Sequence, residues 1–161
     1  MTTTHKRKRI VAATLAFTIG CASMAVYAQS APKPEALIKS RQSAFQYVAW
    51  NFGRIKASLD GTYNKDDVSK AANTIAAIAN SSLPNLFAAN TEQGKGWHDT
   101  ATKAELFKDG KRANELFADF AKESTELARV ALNGDSASVK EQYGKVGKAC
   151  KTCHDDFRVK D

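Results

Sequence analysis

Residues 139–157 read VKEQYGKVGKACKTCHDDF, and the architecture of the chain follows from this segment. Its large apolar residues and its two cysteines recur at alternating spacings of four and three, which predicts an α-helix with one buried face. That face comprises Val139, Tyr143, Val146, Cys150, Cys153 and Phe157. Both cysteines are therefore expected on the buried side of a helix near the C-terminus.

The same segment contains a C-x-x-C-H motif, Cys150-Lys151-Thr152-Cys153-His154. In this spacing, two thiols add to the two vinyl groups of a haem and the following histidine reaches the iron. We therefore predict one covalently attached haem c per chain, held by Cys150 and Cys153, with His154 as an iron ligand.

Two other interpretations of the motif are a redox-active cysteine pair and a zinc site. A thioredoxin-like pair sits where a strand meets a helix, whereas this motif lies deep in a helical pattern. A structural zinc site needs a fourth Cys or His, and after residue 28 the chain offers only His98 beyond the motif. The sequence therefore favours haem over both alternatives.

The N-terminal residues 1–28 have the features of a cleaved secretory signal peptide. A basic segment, 5–9, precedes the uncharged run 10–26, and Ala28 precedes the predicted cleavage site at Gln29. The alternatives are an uncleaved membrane anchor, for which the apolar run is short, and a lipoprotein signal at Cys21. We expect export to the periplasm, with no membrane span after cleavage.

Cleavage would change the chemistry of the remaining chain, residues 29–161. Residues 1–28 hold four of the 24 Lys and Arg and none of the 17 Asp and Glu, so the formal charge falls from +7 to +3. No basic and aromatic cluster remains, so a nucleic-acid partner is not expected. Both methionines, Met1 and Met24, are also lost. The mature protein therefore cannot use the His and Met ligation of electron-transfer cytochromes c.

Three further segments show the same helical spacing of apolar residues, and none shows the alternation of a strand. They span about 34–59, 66–80 and 103–132, and the last includes Gly110 on its apolar stripe and ends at Asn133-Gly134. With the motif segment these make an all-α four-helix bundle. The connection at 81–102 is longer than usual in bundles, so we expect it to wrap over a cofactor or over the end of the bundle.

Two residues on the stripe of the first helix suggest a cofactor between helices. Arg41 would be costly to bury alone, and a haem propionate would satisfy it, although a snorkelling side chain or a protein salt bridge would also do so. Phe45, one turn further along, is either ordinary core or a cover for the iron face opposite His154. His98 lies in the long connection, where a surface histidine is a better interpretation than a ligand.

Taken together, the sequence resembles the cytochrome c prime (cytochrome c') family over nearly all of residues 29–161. The similarity rests on Arg41-Gln42, on WNFGR at 50–54, on VGKAC at 146–150 and on HDDFR at 154–158. The resemblance implies an antiparallel up-down-up-down bundle with a five-coordinate, high-spin haem near the C-terminus. It also implies a homodimer paired through the first two helices.

The resemblance further implies roles for individual residues around the haem. Two departures from the family pattern are Phe107, where Trp is usual, and Phe157, where Tyr is common. The implied site residues are Arg41 and Gln42 at a propionate, Phe45 as the distal cap, Arg158 on the proximal face near His154, and Thr102 at the haem edge.

These inferences predict a periplasmic haem protein that binds nitric oxide and carbon monoxide. An apolar cap at Phe45 would offer no hydrogen bond to bound dioxygen. The alternative is an electron-transfer cytochrome with a sixth ligand other than Met, passing single electrons to a redox partner protein. We do not expect an enzyme, because Arg41 lies a full turn from Phe45 and no acid and base pair is evident there.

Overall fold

The computed structural model describes residues 31–160. The predicted signal peptide, residues 1–28, and its cleavage site lie outside them. The described residues form helices joined by turns and one long connection, and no strand occurs among them. The helices are α1 (Pro34–Asp60), α2 (Lys65–Ala79), α3 (Glu105–Lys108), α4 (Gly110–Asn133) and α5 (Ser136–Phe157), with a 3-10 helix at Leu83–Leu86.

Short connections place successive long helices side by side in opposite directions. Residues 61–64 join α1 to α2, and residues 134–135 join α4 to α5. Helix α1 packs on α2, α2 on α4, and α4 on α5. The result is the predicted antiparallel four-helix bundle. Its centre is filled by fully buried aliphatic side chains, among them Ile55, Val68, Ile75, Leu127, Val139 and Val146.

The predicted third helix is interrupted at Asp109, which corrects the sequence prediction of one helix over 103–132. The backbone of Asp109 is not helical, and its carboxylate accepts a hydrogen bond from the Arg112 N–H at 3.0 Å. An Asp that bonds backbone groups ahead of it begins a new helix instead of continuing the old one. Gly110 is therefore the first residue of α4 and is exposed, so its predicted place on the buried stripe was wrong.

The turn between α4 and α5 depends on the absence of a side chain at Gly134. Its backbone is extended rather than left-handed, and its N–H donates to the Val130 carbonyl at 2.6 Å. A Cβ added there would lie 2.8 Å from the same carbonyl oxygen. Glycine is therefore required by close packing at the C-terminal end of α4, and the helix ends where the sequence predicted.

Helix α5 begins at a strong N-cap. The Asp135 carboxylate accepts hydrogen bonds from the Ser138 N–H at 2.8 Å and from the Ser138 hydroxyl at 2.7 Å. These bonds satisfy a backbone donor that the first turn of a helix leaves open. They also lower the pKa of Asp135. The cap fixes the register of the helix that carries the C-x-x-C-H motif.

Helices α1 and α5 lie on either side of a cavity instead of packing closely along their length. They meet where the rings of Phe52 and Tyr143 stack, with centroids 3.8 Å apart and planes 11° apart. No helix within residues 31–160 is long and apolar enough to cross a membrane. The space between α1 and α5 is therefore the feature of the bundle that needs a functional explanation.

The N-cap of α5 gives a test in acid. The lowered pKa of Asp135 means that its contribution to stability is complete above the ordinary Asp value of about 3.9 and is lost as the pH falls through the lower folded value. Asp135→Asn keeps an N-cap without the titrating group. We expect its free energy of unfolding, measured by urea denaturation, to fall less steeply with decreasing pH than that of the parent.

Asp119→Asn on the exposed face of α4 is the matched control. It should leave the acid dependence at its parental steepness. Equal acid dependence in the parent and in Asp135→Asn would show that the cap carboxylate does not contribute through ionisation.

Candidate cofactor site

A cavity of about 660 Å³ lies between α1 and α5, with α4 and the long connection completing its walls. This volume falls within the range of about 300–1,000 Å³ typical of small-molecule and cofactor sites. Most of its wall is apolar or aromatic, including Phe45, Phe52, Phe87 and Phe120. Phe45 and Phe52 are only half-buried because they face this space.

Cys150 and Cys153 line the cavity from α5 as half-buried free thiols. Burial raises the pKa of both thiols, and for Cys153, with smaller contributions from the Asp156 carboxylate and from Cys150, the pKa rises to about 11. Redox-active cysteine pairs instead have lowered pKa values and a stable thiolate. The environment therefore disfavours the thioredoxin-like interpretation and suits thiols that face an apolar group.

His154 lines the same wall, one residue beyond Cys153. Burial lowers the pKa of its imidazole, and the positive charge of Arg158 lowers it further, while Asp155 opposes the shift. The neutral imidazole is the form that binds a metal through a ring nitrogen. The motif therefore presents two thiols and a neutral imidazole to one cavity.

The end of α5 is held by the segment 101–103. Backbone hydrogen bonds of 2.8 Å run from the Lys103 N–H to the Phe157 carbonyl and from the Val159 N–H to the Ala101 carbonyl. These bonds form a bridge between Thr102 and Arg158, both of which line the cavity. The bridge places the two predicted site residues next to each other, close to the residues of the motif.

A side-chain ion pair reinforces the same end of α5. The guanidinium of Arg112 on α4 donates to the Asp156 carboxylate through Nε and Nη2, each at 3.0 Å. The Lys103 ammonium also donates to the carbonyls of Asp155 and Asp156 at 3.0 and 3.1 Å. These contacts hold the last turn of α5, and with it His154, against α4 and the connection.

Arg41 is a buried cation at one end of the cavity, with only 3% of its surface exposed. Its guanidinium donates to the Leu86 carbonyl at 3.2 Å, to the Thr91 hydroxyl at 2.7 Å, to the Thr91 carbonyl at 2.6 Å and to the Thr100 hydroxyl at 2.6 Å. Its face lies over the ring of Phe87, 4.8 Å from the centroid. Burial lowers the pKa of this guanidinium.

All four acceptors of Arg41 are neutral, and none of the ion pairs among residues 31–160 includes it. The sequence offered snorkelling or a protein salt bridge as alternatives to a propionate, and the described residues show neither. A buried positive charge without a counter-ion is costly. The cavity beside Arg41 therefore suits the carboxylate edge of a cofactor.

Gln42, the other residue expected at a propionate, holds the long connection. Its Oε1 accepts from the Trp97 N–H at 2.7 Å, and its Nε2 donates to the His98 carbonyl at 2.9 Å. Both ends of the amide are therefore occupied by backbone groups of the connection. The side chain still borders the cavity.

Phe45 belongs to an aromatic wall on the α1 side of the cavity. Its ring meets Phe87 edge-on, with centroids 6.3 Å apart and an angle of 68°, and Phe87 contacts Phe117 at 5.3 Å. His154 lines the cavity from α5. The rings of Phe45, Phe87 and Phe117 present hydrocarbon to the cavity, which provides packing but no hydrogen-bond donor.

Several residues of the site were not identified from the sequence. Phe87 and Trp97 line the cavity, and Thr91 is fully buried against Arg41. All three lie in the long connection, which has no helical spacing to mark its inward-facing residues. Its length predicted that it covers either a cofactor or the end of the bundle, and Trp97 and His98 contribute to the cavity wall.

Taken together, the walls fit a covalently bound haem. Two thiols and a neutral imidazole lie on α5, an aromatic surface lies across from them on α1, and a cation without a counter-ion lies at one end. These groups match the vinyl groups, iron, flat ring and carboxylates of that cofactor in chemical type.

Comparison with known proteins gives the same family for sequence and structure. Residues 36–158 match the sequence model of the family described as Cytochrome C'. Cytochrome c' of Rhodocyclus tenuis is 61% identical over 130 residues, which cover 80% of this chain and 98% of the relative. Cytochrome c' of Allochromatium vinosum is 38% identical over 155 residues, covering 95% and 99%.

Solved structures of cytochrome c' superpose on the bundle. That from Thermochromatium tepidum has a TM-score of 0.77 at 40% identity, covering 80% of this chain and 98% of its own. Another cytochrome c' structure has a TM-score of 0.78 at 39% identity, and the match covers 81% of this chain and 100% of its own. That protein is described as having an unusual ligand-controlled dimer dissociation.

Two ligand-bound structures come from variants of the Alcaligenes xylosoxidans protein, at TM-scores of 0.71 and 0.72. They contain carbon monoxide and nitric oxide and are 26% and 25% identical to this chain. The first covers 80% of this chain and 98% of its own, and the second covers 81% and 99%.

The network around Arg41 can be tested at Thr91. Thr91→Val keeps the side-chain shape but removes the hydroxyl that accepts from Arg41 and donates to the Ala88 carbonyl at 2.7 Å. A buried donor left unsatisfied costs about 1–3 kcal/mol, so we expect a loss of that size in the free energy of unfolding, measured by urea denaturation.

Thr74→Val is the matched control, because the Thr74 hydroxyl bonds only the Lys70 carbonyl of its own helix, at 2.9 Å. It should change the free energy of unfolding by much less. If the two variants lose equal stability, the Arg41 network does not stabilise the connection.

Proposed function

The chain belongs to the cytochrome c' family, and on that basis we propose that it is a periplasmic haem protein that binds nitric oxide and carbon monoxide at a five-coordinate, high-spin iron. The observation that carries this proposal is the aromatic wall of Phe45 and Phe87 on α1 and the connection, opposite His154 on α5. Among residues 31–160 this wall contributes neither a methionine nor a histidine as a sixth ligand.

We propose that Cys150 and Cys153 attach the haem and that His154 binds its iron. When bound, the haem supplies an iron that can take up a small gas or exchange a single electron. Cys150 and Cys153 fix the cofactor to α5 through thioether bonds, and the fixed last turn of α5 orients the imidazole of His154. Arg41 offsets the charge of a carboxylate group at the far end of the cavity.

Phe45 then sets which gases bind. A hydrocarbon wall excludes water and gives no hydrogen bond to a polar bound dioxygen, whereas carbon monoxide and nitric oxide need none. The packing of Phe45 against Phe87 also limits the space that a ligand can enter. Relatives from Alcaligenes xylosoxidans bind both gases, which supports the same ligand class here, with nitric oxide tolerance as the physiological role.

We do not assign catalysis. Acid and base chemistry at bound peroxide needs a mobile proton donor beside the ligand. Arg41, the cation that lines the cavity from α1, is committed to four hydrogen bonds with the connection. The proposed role is therefore ligand binding, and single-electron exchange with a redox partner protein is the competing role that the spectrum below separates from it.

We also propose that the protein forms a homodimer through α1. Tyr47 and Trp50 lie on the outer surface of that helix, 51% and 55% exposed, with their rings stacked at 5.6 Å. Arg54 lies over Trp50, 4.8 Å from the ring centroid. Exposed aromatic pairs of this kind are typical anchors of protein interfaces, and a structural relative is described as a dimer.

The gas-binding proposal predicts a high-spin optical spectrum for the holoprotein and easier ligand access when Phe45 is reduced in size. We expect Phe45→Ala to speed carbon monoxide association with the ferrous protein about tenfold, which corresponds to removing about 1.4 kcal/mol of steric work. Stopped-flow absorbance measures this rate.

Phe52→Ala is the control, because Phe52 also lines the cavity from α1 but stacks on Tyr143 two turns away. It should change the rate much less. Low-spin spectra in both oxidation states at neutral pH would contradict the gas-binding role and favour the electron carrier, and an unchanged rate in Phe45→Ala would exclude a capping role for Phe45.

The dimer proposal predicts that a charge in the aromatic pair separates the protomers. We expect Trp50→Glu to raise the dimer dissociation constant at least about tenfold, or 1.4 kcal/mol, measured by sedimentation of the holoprotein. Lys140→Glu on the exposed face of α5 is the control and should leave it unchanged. A parent protein that sediments as a monomer at micromolar concentration would overturn the proposal.

A further inference from the structure

The long connection contains a tight hairpin, residues 94–100, which we term the strap. Its backbone closes on itself through hydrogen bonds of 3.0 Å from the Gly96 N–H to the His98 carbonyl and from the Thr100 N–H to the Gly94 carbonyl. Gly94 has a φ of 109°, a conformation that favours glycine. The strap is therefore a defined unit and not an irregular loop.

Helix α1 holds the strap at unusually close range. A Cβ added to Gly96 would lie 2.4 Å from Gln42 Oε1, 2.8 Å from the backbone nitrogen of Lys39 and 3.0 Å from a methyl group of Ile38. Such distances leave no room for a side chain, so the strap lies directly on the helix backbone. The position requires glycine because of this contact.

Side chains fix the strap on both sides of that contact. Gln42 bonds the backbone of Trp97 and of His98, as described above. The Trp97 indole N–H donates to the Ser43 hydroxyl at 2.8 Å, and the Lys39 ammonium lies 4.6 Å from the centre of its ring. Arg41 bonds Thr100 at the end of the strap. The strap is thus positioned at the cationic end of the cavity by four residues of one stretch of α1, Lys39, Arg41, Gln42 and Ser43.

The histidine of the strap uses one ring nitrogen within the strap and its support. His98 Nδ1 lies 2.8 Å from the Asp99 carbonyl oxygen and 3.2 Å from Gln42 Nε2, and the tautomer of the ring decides which of the two it bonds. Gln42 Nε2 also donates to the His98 carbonyl. Within residues 31–160 no hydrogen bond is made by His98 Nε2, and the residue borders the cavity.

We propose that His98 is a cofactor-binding residue, which contacts a haem carboxylate beside Arg41, and that Gln42 is a positioning residue that holds the strap carrying it. This inference rests on haem attachment at Cys150 and Cys153. In the tautomer in which Nδ1 accepts from Gln42, Nε2 carries the proton and donates to a carboxylate, and the nearby Arg41 charge favours a carboxylate at this end of the cavity. Gln42 contacts the cofactor edge through His98, since both ends of its own amide bind the strap.

The test uses the holoprotein in a Trp50→Phe background, so that Trp97 is the reporting indole. Two signals are measured: Trp97 emission, which haem quenches when the strap is docked, and the propionate bending bands of the resonance Raman spectrum. We expect His98→Leu to shift the propionate bands while Trp97 stays quenched. We expect Gln42→Ala to shift the bands and to raise Trp97 emission.

The double variant separates direct contact from positioning. If Gln42 acts through His98, adding His98→Leu to Gln42→Ala produces no further band shift. Propionate bands that stay at their parental positions in His98→Leu would overturn the proposal. So would a band shift in Gln42→Ala without a rise in Trp97 emission, because that result would make Gln42 the direct partner.

Glycine variants test the docking independently. Gly96→Ala should raise Trp97 emission, whereas Gly53→Ala on α1, where an added Cβ meets nothing within 4 Å, should not. Emission at the parental level in Gly96→Ala would show that the strap does not depend on the close contact. The mass of each variant reports covalent haem, so a variant without haem counts against the proposed attachment and not against the strap.

Discussion

The connection between α2 and α4 depends on one buried guanidinium. The connection joins the apolar core near its start, at Leu83. Beyond that point Arg41 donates four hydrogen bonds to its carbonyl and hydroxyl groups and stacks on Phe87. The geometry of the cavity at this end is therefore set by a polar network within an apolar surround. A network of this kind favours a single arrangement of the connection, because the loss of any hydrogen-bond partner leaves a buried polar group unsatisfied.

The arrangement also explains why the bundle has a space where a fourth line of helix packing would be expected. Helices α1, α2, α4 and α5 pack in sequence, and the aromatic side chains that α1 turns toward α5 are only half-buried. Phe45 and Cys150 belong to helical stripes that would be core positions in an ordinary bundle. Here they form the walls of a site. The part of their surface that the protein leaves exposed is the part that a flat cofactor covers.

Regular spacing allowed most of the helical architecture to be predicted, but not the connection. The stripe over 139–157 follows from periodicity, and the end of α4 at Asn133-Gly134 follows from the position of the glycine. The break at Asp109 was missed because a single capping side chain overrides an apolar pattern that continues through it. Thr91 and Trp97 were missed because their positions follow from contacts with α1, which local sequence does not encode. The roles of the individual haem contacts remain predictions.

The bonds of Arg41 span 45, 50 and 59 residues of chain, whereas α1 and α2, and likewise α4 and α5, are joined by short turns. Closing a chain segment of that length costs configurational entropy that grows as about (3/2)RT ln n with its length n. Helix pairs joined by short turns avoid most of this cost and can associate early. The bonds of Arg41 to the connection therefore carry a larger closure cost than the helix pairs joined by short turns. We expect the amide protons of the connection to exchange with solvent ahead of those in these helix pairs.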